Sequence, residues 1–400
     1  MYFPGQPARA ARVGPMPARI VVAPQAFKGS ADAAAVADAI AEGLHEVWPD
    51  ASIDRVPVAD GGEGTVRALV DGADGEMRET TARDPLGHLI RAGFGLIDGG
   101  ATAVVEMAAA SGLTLVAPAD RDARLTSSFG TGELLVAAAR AGARRILIGV
   151  GGSATNDGGA GMLRAVGFRL LDQGGREIGE GGIALERLAS IEGMLDPVLA
   201  GVELVVATDV ASPLTGPNGA SAVFGPQKGA TADDVRALDA ALGHFADVVA
   251  WKTKQDLRDA PGAGAAGGVG FALMALLRAT ARSGADLVLD AARFDERVAV
   301  ASLCVTGEGR LDAQSLAGKA SVVVARRAGR KGVPTVAVVG SLGDGHERAL
   351  AELAAVEPIA VGPADEATLM REWRPLVRAA AARLARAVQV GTRMASVSGP

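Results

Sequence analysis

The 400-residue chain has little cysteine, few aromatic side chains and no excess of basic charge. Its single cysteine, Cys304, excludes a disulfide within the chain. Because Cys304 lies in an apolar run, it is predicted to be a buried strand residue rather than a nucleophile. Aromatic residues make up only 3% of the chain, so the core must be mainly aliphatic. A net charge of −6 without a basic block argues against nucleic acid and anionic membranes as partners.

Histidine and long apolar segments are also scarce. The four histidines are scattered without metal-ligand spacing, which disfavours a zinc site or a Ser-His-Asp relay. No apolar run reaches the length that spans a bilayer. Residues 1–17 contain prolines and arginines but no hydrophobic segment of the secretory type. We therefore predict a cytoplasmic protein in which residues 1–17 form a disordered extension.

Apolar residues and glycine are abundant, at 49% of the chain and 54 residues. Short apolar runs alternate with segments of helical periodicity almost throughout, and this pattern predicts an α/β fold with mostly parallel strands. Both ends of the chain resemble compact βαβ units, whereas the middle is richer in glycine. We therefore expect two domains. One combines residues 18–62 with 285–395, and the other, residues 63–284, is inserted between them.

The most informative stretch is RILIGVGGSATNDGGAGMLRAVGFRLLD, residues 145–172. An apolar strand leads into a glycine-rich turn, and a helical pattern with Met162, Leu163 and Val166 on one face follows. A turn of this kind directs backbone N–H groups and the positive end of a helix toward one point. The segment therefore predicts an anion site, most often one for phosphate.

Three interpretations of this loop stay open on the residues alone. Gly149-x-Gly151-x-x-Ala154 with Asp172 downstream fits a dinucleotide-binding fingerprint. A kinase loop that holds a metal–nucleotide complex is the second interpretation, and Asp157 favours it. A carboxylate at this position repels a bare pyrophosphate but suits an intervening Mg²⁺. The third is a glycine-rich turn without any ligand.

Charged residues follow several predicted strands, where α/β proteins place their ligands. They are Lys28 after the strand at 20–23, Asp60 and Glu63 after 53–58, Asp209 after 204–207, and Glu308, Arg310 and Asp312 after 303–305. Each could serve only as a helix cap, a turn residue or an ion pair. Together with the glycine-rich loop they suit phosphoryl transfer, which needs cations and amides for phosphate, carboxylates for Mg²⁺ and a proton acceptor. No Walker A or eukaryotic-type kinase motif is present, so any kinase here uses another scaffold.

Eight segments, taken in order, resemble the bacterial type I glycerate kinase family. The resemblance covers about residues 19–390, and eight ordered motifs are far more specific than one glycine loop. The segments are VVAPQAFKGS (21–30), PVADGGEGTV (57–66), EMAAASGL (106–113), TSSFGTGEL (126–134), IGVGGSATNDGGAGM (148–162), GPNGASAVFGPQKGA (216–230), GAGAAGGVG (262–270) and TGEGRLDAQSLAGK (306–319).

The resemblance implies a kinase that uses ATP and Mg²⁺ to phosphorylate D-glycerate, with 2-phosphoglycerate as product. It also implies two α/β domains, one of them Rossmann-like and discontinuous, with the active site in the cleft between them. This chain departs from the expected pattern at 25–27, and no role is assigned to Gln25. D-glycerate and ATP would be the small-molecule partners of a monomer or homodimer.

We hypothesise the following roles, without ranking the two aspartates as base. The catalytic candidates are Lys28, Asp60 and Asp209. The substrate-binding candidates are Arg310, Lys228 and Glu63. The candidates for the ATP phosphates are Gly151, Gly152, Ser153, Thr155 and Asn156. The candidate Mg²⁺ ligands are Asp157, Glu308 and Asp312. Two other functions stay open: an NAD(P)-dependent hydroxy-acid dehydrogenase and a non-catalytic sensor of a sugar acid or nucleotide.

Overall fold

A computed structural model describes residues 19–27, 29–58, 65–73, 75–208, 210–313, 315 and 319–397. The strands, in chain order, are β1 (Arg19–Pro24), β2 (Ser52–Arg55), β3 (Glu76–Arg83), β4 (Leu89–Ile97), β5 (Thr102–Glu106), β6 (Arg145–Gly149), β7 (Phe168–Leu171), β8 (Ser190–Gly193), β9 (Glu203–Ala207), β10 (Thr280–Arg282), β11 (Leu303–Leu311), β12 (Thr335–Leu342) and β13 (Ala355–Pro358).

The helices alternate with these strands over most of the chain. They are α1 (Ala33–His45), α2 (Thr65–Gly72), α3 (Ala108–Ser111), α4 (Phe129–Arg140), α5 (Ala160–Ala165), α6 (Ala220–Phe224), α7 (Ala232–Thr253), α8 (Val269–Ala275), α9 (Gly284–Ala291), α10 (Phe294–Ala299), α11 (Ala320–Arg330), α12 (Glu366–Arg371) and α13 (Trp373–Val397).

The chain divides into two compact units. The terminal unit takes its described residues from Met1–Pro57, Phe294–Ala317 and Ser321–Pro400, and the central unit takes its own from Val58–Arg293 and Gly318–Ala320. Whether the chain has independent domains with the boundaries expected from the sequence, 18–62 with 285–395 and 63–284, stays a prediction.

The terminal unit contains a parallel sheet of five strands in the order β13-β12-β11-β1-β2. Successive residues of β12 pack on opposite faces of this sheet. Val336 and Val338 join the apolar cluster formed with α1 and α13, while Ala337 and Val339 join a cluster with Ala325 of α11. Helices therefore cover both faces, which is why the strands of this sheet are short, wholly apolar runs.

The central unit contains a six-stranded sheet in the order β10-β9-β6-β5-β4-β3. Strands β10, β9, β6 and β5 pair in parallel, and β4 and β3 pair antiparallel at one edge. The centre of this sheet packs its aliphatic side chains, such as Ile146 and Ile148, into one large core with Leu134 of α4. A separate antiparallel pair is formed by β7 and β8. The two sheets confirm the predicted α/β class with mostly parallel strands.

The starts of two helices have local causes. Asp32 caps α1, because its side chain accepts a hydrogen bond from the Ala35 N–H at 2.7 Å. Helix α8 begins at Val269, after most of the glycines of the segment 262–270. Residues 266–268 have positive φ angles and form a left-handed turn before it.

Cys304 is buried in β11, as predicted, and burial raises the pKa of its thiol to about 12. Within the described part of the chain, no helix is both long and apolar enough to cross a membrane.

Candidate active site

The glycine-rich loop of the central unit begins where β6 ends, at Gly149, and leads into α5. Strand β6 lies between β5 and β9 in the parallel part of the sheet, so the loop starts from a buried, well-supported position. The helix that follows is only six residues long. Its macrodipole is correspondingly small, and the side chains around its first turn therefore decide what the loop can bind.

The carboxylate of Asp157 lies just before the first residue of α5. Its side chain is fully buried. One oxygen, Oδ2, accepts hydrogen bonds from the Ser128 N–H, the Ser128 hydroxyl and the Gly161 N–H at 2.9, 2.8 and 3.1 Å. The other, Oδ1, accepts one from the Gly159 N–H at 3.0 Å. Burial raises the pKa of this carboxyl, and the hydrogen bonds oppose the shift.

These contacts bear on the Mg²⁺ role hypothesised for Asp157. Four donors already surround its carboxylate, and the anion at the first turn of α5 belongs to the protein itself. A metal ion would have to displace some of these donors. The geometry therefore favours a role for Asp157 in joining the loop to α5 and to the segment at Ser128, rather than direct metal binding.

Lys228 approaches the same loop from inside the unit. It lies at the end of a short 3₁₀ turn, Pro226–Lys228, and is only 2% exposed. Its ammonium donates hydrogen bonds to the Ser153 hydroxyl at 2.9 Å and to the carbonyl oxygen of Thr155 at 2.6 Å. Burial lowers the pKa of Lys228 to about 7, and attraction to Asp157 opposes that shift. A lysine in this position contacts the loop rather than solvent.

Most of the residues hypothesised to hold the ATP phosphates are buried. Thr155 and Asn156 are fully inaccessible and Ser153 is nearly so. The Asn156 side-chain amide donates to the Ser221 hydroxyl at 2.8 Å. Gly151 is half-buried and Gly152 is exposed, so this pair is the part of the loop that reaches the surface.

A second glycine-rich turn, residues 266–268, packs against the loop. Gly267 has a φ of +68°, and its carbonyl accepts a hydrogen bond from the Gly158 N–H at 2.9 Å. A Cβ atom on Gly267 would lie 2.1 Å from the carbonyl oxygen of Thr155. Only glycine permits both the left-handed backbone and this close approach. The segment GAGAAGGVG is thus explained by contact with the loop.

Two other segments contribute to the same arrangement. The Ala154 N–H donates to the carbonyl of Ser111 at 2.9 Å, and the hydroxyl of Thr126 donates to the Ala154 carbonyl at 3.0 Å. The Leu113 N–H donates to the carbonyl of Gly152 at 2.8 Å. Four other segments that carry the family resemblance therefore contact the glycine-rich loop. They are 106–113, 126–134, 216–230 and 262–270.

Three buried serines that contact this loop are residues that sequence reasoning missed. Ser111, Ser128 and Ser221 are fully buried. In the sequence they look like ordinary small residues in turns and helix caps, because their partners lie 65 positions away for Ser221 and 29 for Ser128. The one signal in the sequence is that each lies in a glycine-rich segment, and such a signal does not identify a partner.

Three further candidates lie in the terminal unit, on or just after β11. Glu308 is 3% exposed. It accepts hydrogen bonds from the hydroxyls of Ser315, at 3.0 Å, and Ser321, which precede and begin α11. Arg310 is largely exposed, and its Nε lies 3.6 Å from Oδ2 of Asp312. Within this unit the structure therefore brings Glu308 to two serines and joins Arg310 to Asp312.

The remaining candidates are outside the described residues. These are Lys28, Asp60, Glu63 and Asp209, including all three catalytic candidates. Over the described ranges, no group of three or more histidine, cysteine, aspartate or glutamate side chains is placed to hold a metal ion.

The structure disfavours the dinucleotide fingerprint. In that fingerprint the acidic residue follows a second strand of the same parallel sheet. Asp172 instead follows β7, which pairs with β8 in the separate two-stranded sheet. Its carboxylate accepts from the N–H groups of Gly174 and Arg176, at 2.8 and 3.0 Å, and so closes its own exposed turn.

An α/β fold with a rigid glycine-rich loop at the end of a central parallel strand is typical of enzymes that handle phosphate groups. Comparison with known proteins identifies the family to which the chain belongs. The model of the glycerate kinase family matches residues 20–389. The chain belongs to this family, which confirms the resemblance found in the sequence and the predicted class of enzyme, a kinase.

Individual relatives agree with this result. The chain is 51% identical to the glycerate kinase of Bacillus subtilis over 81% of its own length and 85% of that protein. It is 48% identical to the glycerate 2-kinase of Escherichia coli over 82% of its length and 86% of that protein. The crystal structure of a candidate glycerate kinase 2 from Salmonella typhimurium LT2 superposes with a TM-score of 0.82 at 44% identity, covering 94% of this chain and 99% of that one.

Proposed function

We propose that this protein transfers the γ-phosphoryl group of ATP, bound as its Mg²⁺ complex, to the 2-hydroxyl of D-glycerate, giving 2-phosphoglycerate. The observation that carries the proposal is the similarity to the glycerate 2-kinase of Escherichia coli, at 48% identity over 82% of the chain. The glycerate kinase of Bacillus subtilis is 51% identical over a similar length.

The burial of the glycine-rich loop supports phosphate binding by only its exposed part. Ser153–Asp157 is a buried framework, whereas the backbone at Gly151 and Gly152 reaches the surface. We therefore assign contact with ATP phosphates to the Gly151–Gly152 turn, and support of that turn to Ser153, Thr155 and Asn156. Phosphoryl transfer depends mainly on positioning and electrostatic stabilisation, and a turn held rigid before the ligand arrives suits it.

In the terminal unit, Arg310 is the described residue best suited to the glycerate carboxylate. Its guanidinium is largely exposed and already lies near a carboxylate, that of Asp312. A planar guanidinium can hold a carboxylate through two parallel hydrogen bonds. We retain Glu63 as a substrate contact, Lys28 as a catalytic residue, and Asp60 or Asp209 as the acceptor of the hydroxyl proton. Glu308 and Asp312 remain the proposed Mg²⁺ ligands.

A coupled assay for ADP tests the proposal. Purified protein is mixed with ATP and Mg²⁺, and D-glycerate, L-glycerate or tartronate is added in separate reactions. We expect ADP release that depends on D-glycerate and stops when EDTA removes Mg²⁺. ADP release that does not depend on any acceptor would contradict the proposal. An absorbance change of NAD(P)H without ATP would support a dehydrogenase instead, and tight binding without turnover would support a sensor.

A further inference from the structure

The side-chain nitrogen of Lys228 is deeply buried beside the glycine-rich loop. It contacts two residues that come just after the exposed turn, Ser153 through its hydroxyl and Thr155 through its carbonyl. The lysine itself is 2% exposed, and Thr155 is completely buried. A side chain in this environment can hold the loop, but it does not present its charge to a small molecule at the surface.

Packing alone does not explain a lysine at this position. Transfer of an ammonium into the interior is costly, and a well-packed apolar side chain of similar volume is often equally or more stabilising. Lys228 also does not pair every buried polar group of the loop. Among the described residues, the buried Thr155 Oγ1 and Asn156 Oδ1 still have no hydrogen-bond partner. Buried polar groups with these costs are expected at functional sites more often than in structural cores.

The backbone around the lysine is also fixed. Gly229, which follows it, has a φ of +92°, and a Cβ atom there would lie 2.2 Å from the carbonyl oxygen of Arg121. The Lys228 N–H donates to the carbonyl of Gly225 at 2.9 Å. The base of the side chain therefore has little freedom, and the ammonium is presented to the loop from a rigid position.

We propose that Lys228 is a positioning residue, which sets the Gly151–Gly152 turn in place for phosphoryl transfer by holding Ser153 and Thr155 and contacts neither reactant. This inference rests on the proposed function. It differs from the role hypothesised from the sequence, in which Lys228 binds the glycerate carboxylate directly. The two roles predict different kinetic effects, because a displaced turn weakens the binding of ATP, whereas a lost carboxylate contact weakens the binding of glycerate.

The test compares the wild-type protein with three variants of the full chain. Lys228→Met keeps an unbranched side chain of nearly the same length but removes the ammonium. Ser153→Ala keeps the lysine and removes one of its two acceptors. Lys252→Met is the matched control, since Lys252 is an exposed residue in the last turn of α7. For each protein the apparent KM for ATP and for D-glycerate are measured, together with binding of a non-hydrolysable ATP analogue by titration calorimetry.

For Lys228→Met we expect the KM for ATP and the Kd of the analogue to rise roughly 10- to 100-fold, since small displacements of a positioned group have effects of this size. The KM for D-glycerate should change less than about twofold. Ser153→Ala should shift the same constants in the same direction but less strongly. Adding it to Lys228→Met should have little further effect, because both act through one contact. The control should match the wild type.

Amide hydrogen exchange provides a readout that does not depend on turnover. Residues 151–156 should exchange faster in Lys228→Met, while the strands of the central sheet keep their protection. A selective rise in the KM for D-glycerate, equal losses for both reactants with unchanged exchange, or fully additive effects in the double variant would each overturn the positioning role. A wild-type protein without D-glycerate-dependent ADP release would overturn the proposed function itself. If Lys228→Met does not fold, Ser153→Ala decides alone: its KM for each reactant, its Kd for the analogue and the exchange of residues 151–156 are compared with those of the wild type.

Discussion

The Asp157 carboxylate and Ser128 are joined twice, because Oδ2 of the aspartate accepts both the backbone N–H and the hydroxyl of the serine, at 2.9 and 2.8 Å. The two residues are 29 positions apart and both are fully buried. This contact connects the glycine-rich loop to the start of α4. Asp157 therefore has a structural role in the loop, whichever ligand the loop binds.

Substitution Asp157→Asn tests this interpretation. The amide would direct N–H groups at donors that now face a carboxylate, so we expect a loss of about 3 kcal/mol in the free energy of unfolding. Urea denaturation gives the value. Asp172→Asn is the control, because Asp172 also accepts two backbone hydrogen bonds but in an exposed turn, and its loss should be clearly smaller. Equal losses in both variants would show that burial of the Asp157 contacts is unimportant.

The left-handed turn at Gly267 gives a second prediction. Gly267→Ala combines a positive φ with a Cβ atom 2.1 Å from the Thr155 carbonyl oxygen. We expect a loss of about 2–5 kcal/mol, since both strain and overpacking contribute. Gly142→Ala is the matched control, with a φ of +99° and open space around the new Cβ. It should lose only about 1–2 kcal/mol. If the two variants have the same stability, contact with the loop does not constrain Gly267.

The buried lysine predicts a specific dependence of stability on pH. Its pKa falls from 10.5 to about 7 on folding. Between these values the unfolded chain binds more protons than the folded protein, so raising the pH favours folding. The free energy of unfolding of the wild type, relative to Lys228→Met, should rise by up to about 1 kcal/mol per pH unit above pH 7. A difference that is constant or falls between pH 7 and 9 would contradict the burial of this charge.

Cys304 should be chemically inert in the native protein. Its thiol is buried, and its pKa is raised to about 12 by that burial. We expect no reaction with Ellman's reagent at pH 8 and no loss of activity on treatment with iodoacetamide. After unfolding in guanidinium chloride, one thiol per chain should react, since the chain contains one cysteine. Rapid labelling with loss of activity in the native state would reopen a nucleophilic role.

Local patterns in the sequence were sufficient to predict several of the parallel strands in the two sheets. Runs such as Ile20–Ala23 lie in strands covered on both faces, and continuous apolar character is what that environment requires. The turn before α8 was harder to predict. Its glycines fit the interior of an apolar helix by composition, and only their contact with Thr155 explains the left-handed backbone.

The site could be predicted less completely, because its determinants are not local. The loop was identified from its glycines and from the strand before it. The burial of Lys228 depends on an ammonium meeting residues 75 and 73 positions earlier, and nothing near residue 228 indicates this contact. Asp157 was predicted to bind Mg²⁺ because a carboxylate beside a glycine-rich turn suits a metal ion. Its actual donors come partly from Ser128, in another segment.

The most direct test of the proposed function is the identity of the reaction product. Protein, ATP, Mg²⁺ and D-glycerate are incubated, and the phosphorylated product is examined by ³¹P and ¹H NMR. The account predicts 2-phosphoglycerate, whose phosphorus couples to the single proton on C2. Phosphorus coupled to the two protons on C3 would contradict the proposed regiochemistry, and the absence of any phosphorylated glycerate would contradict the proposed activity.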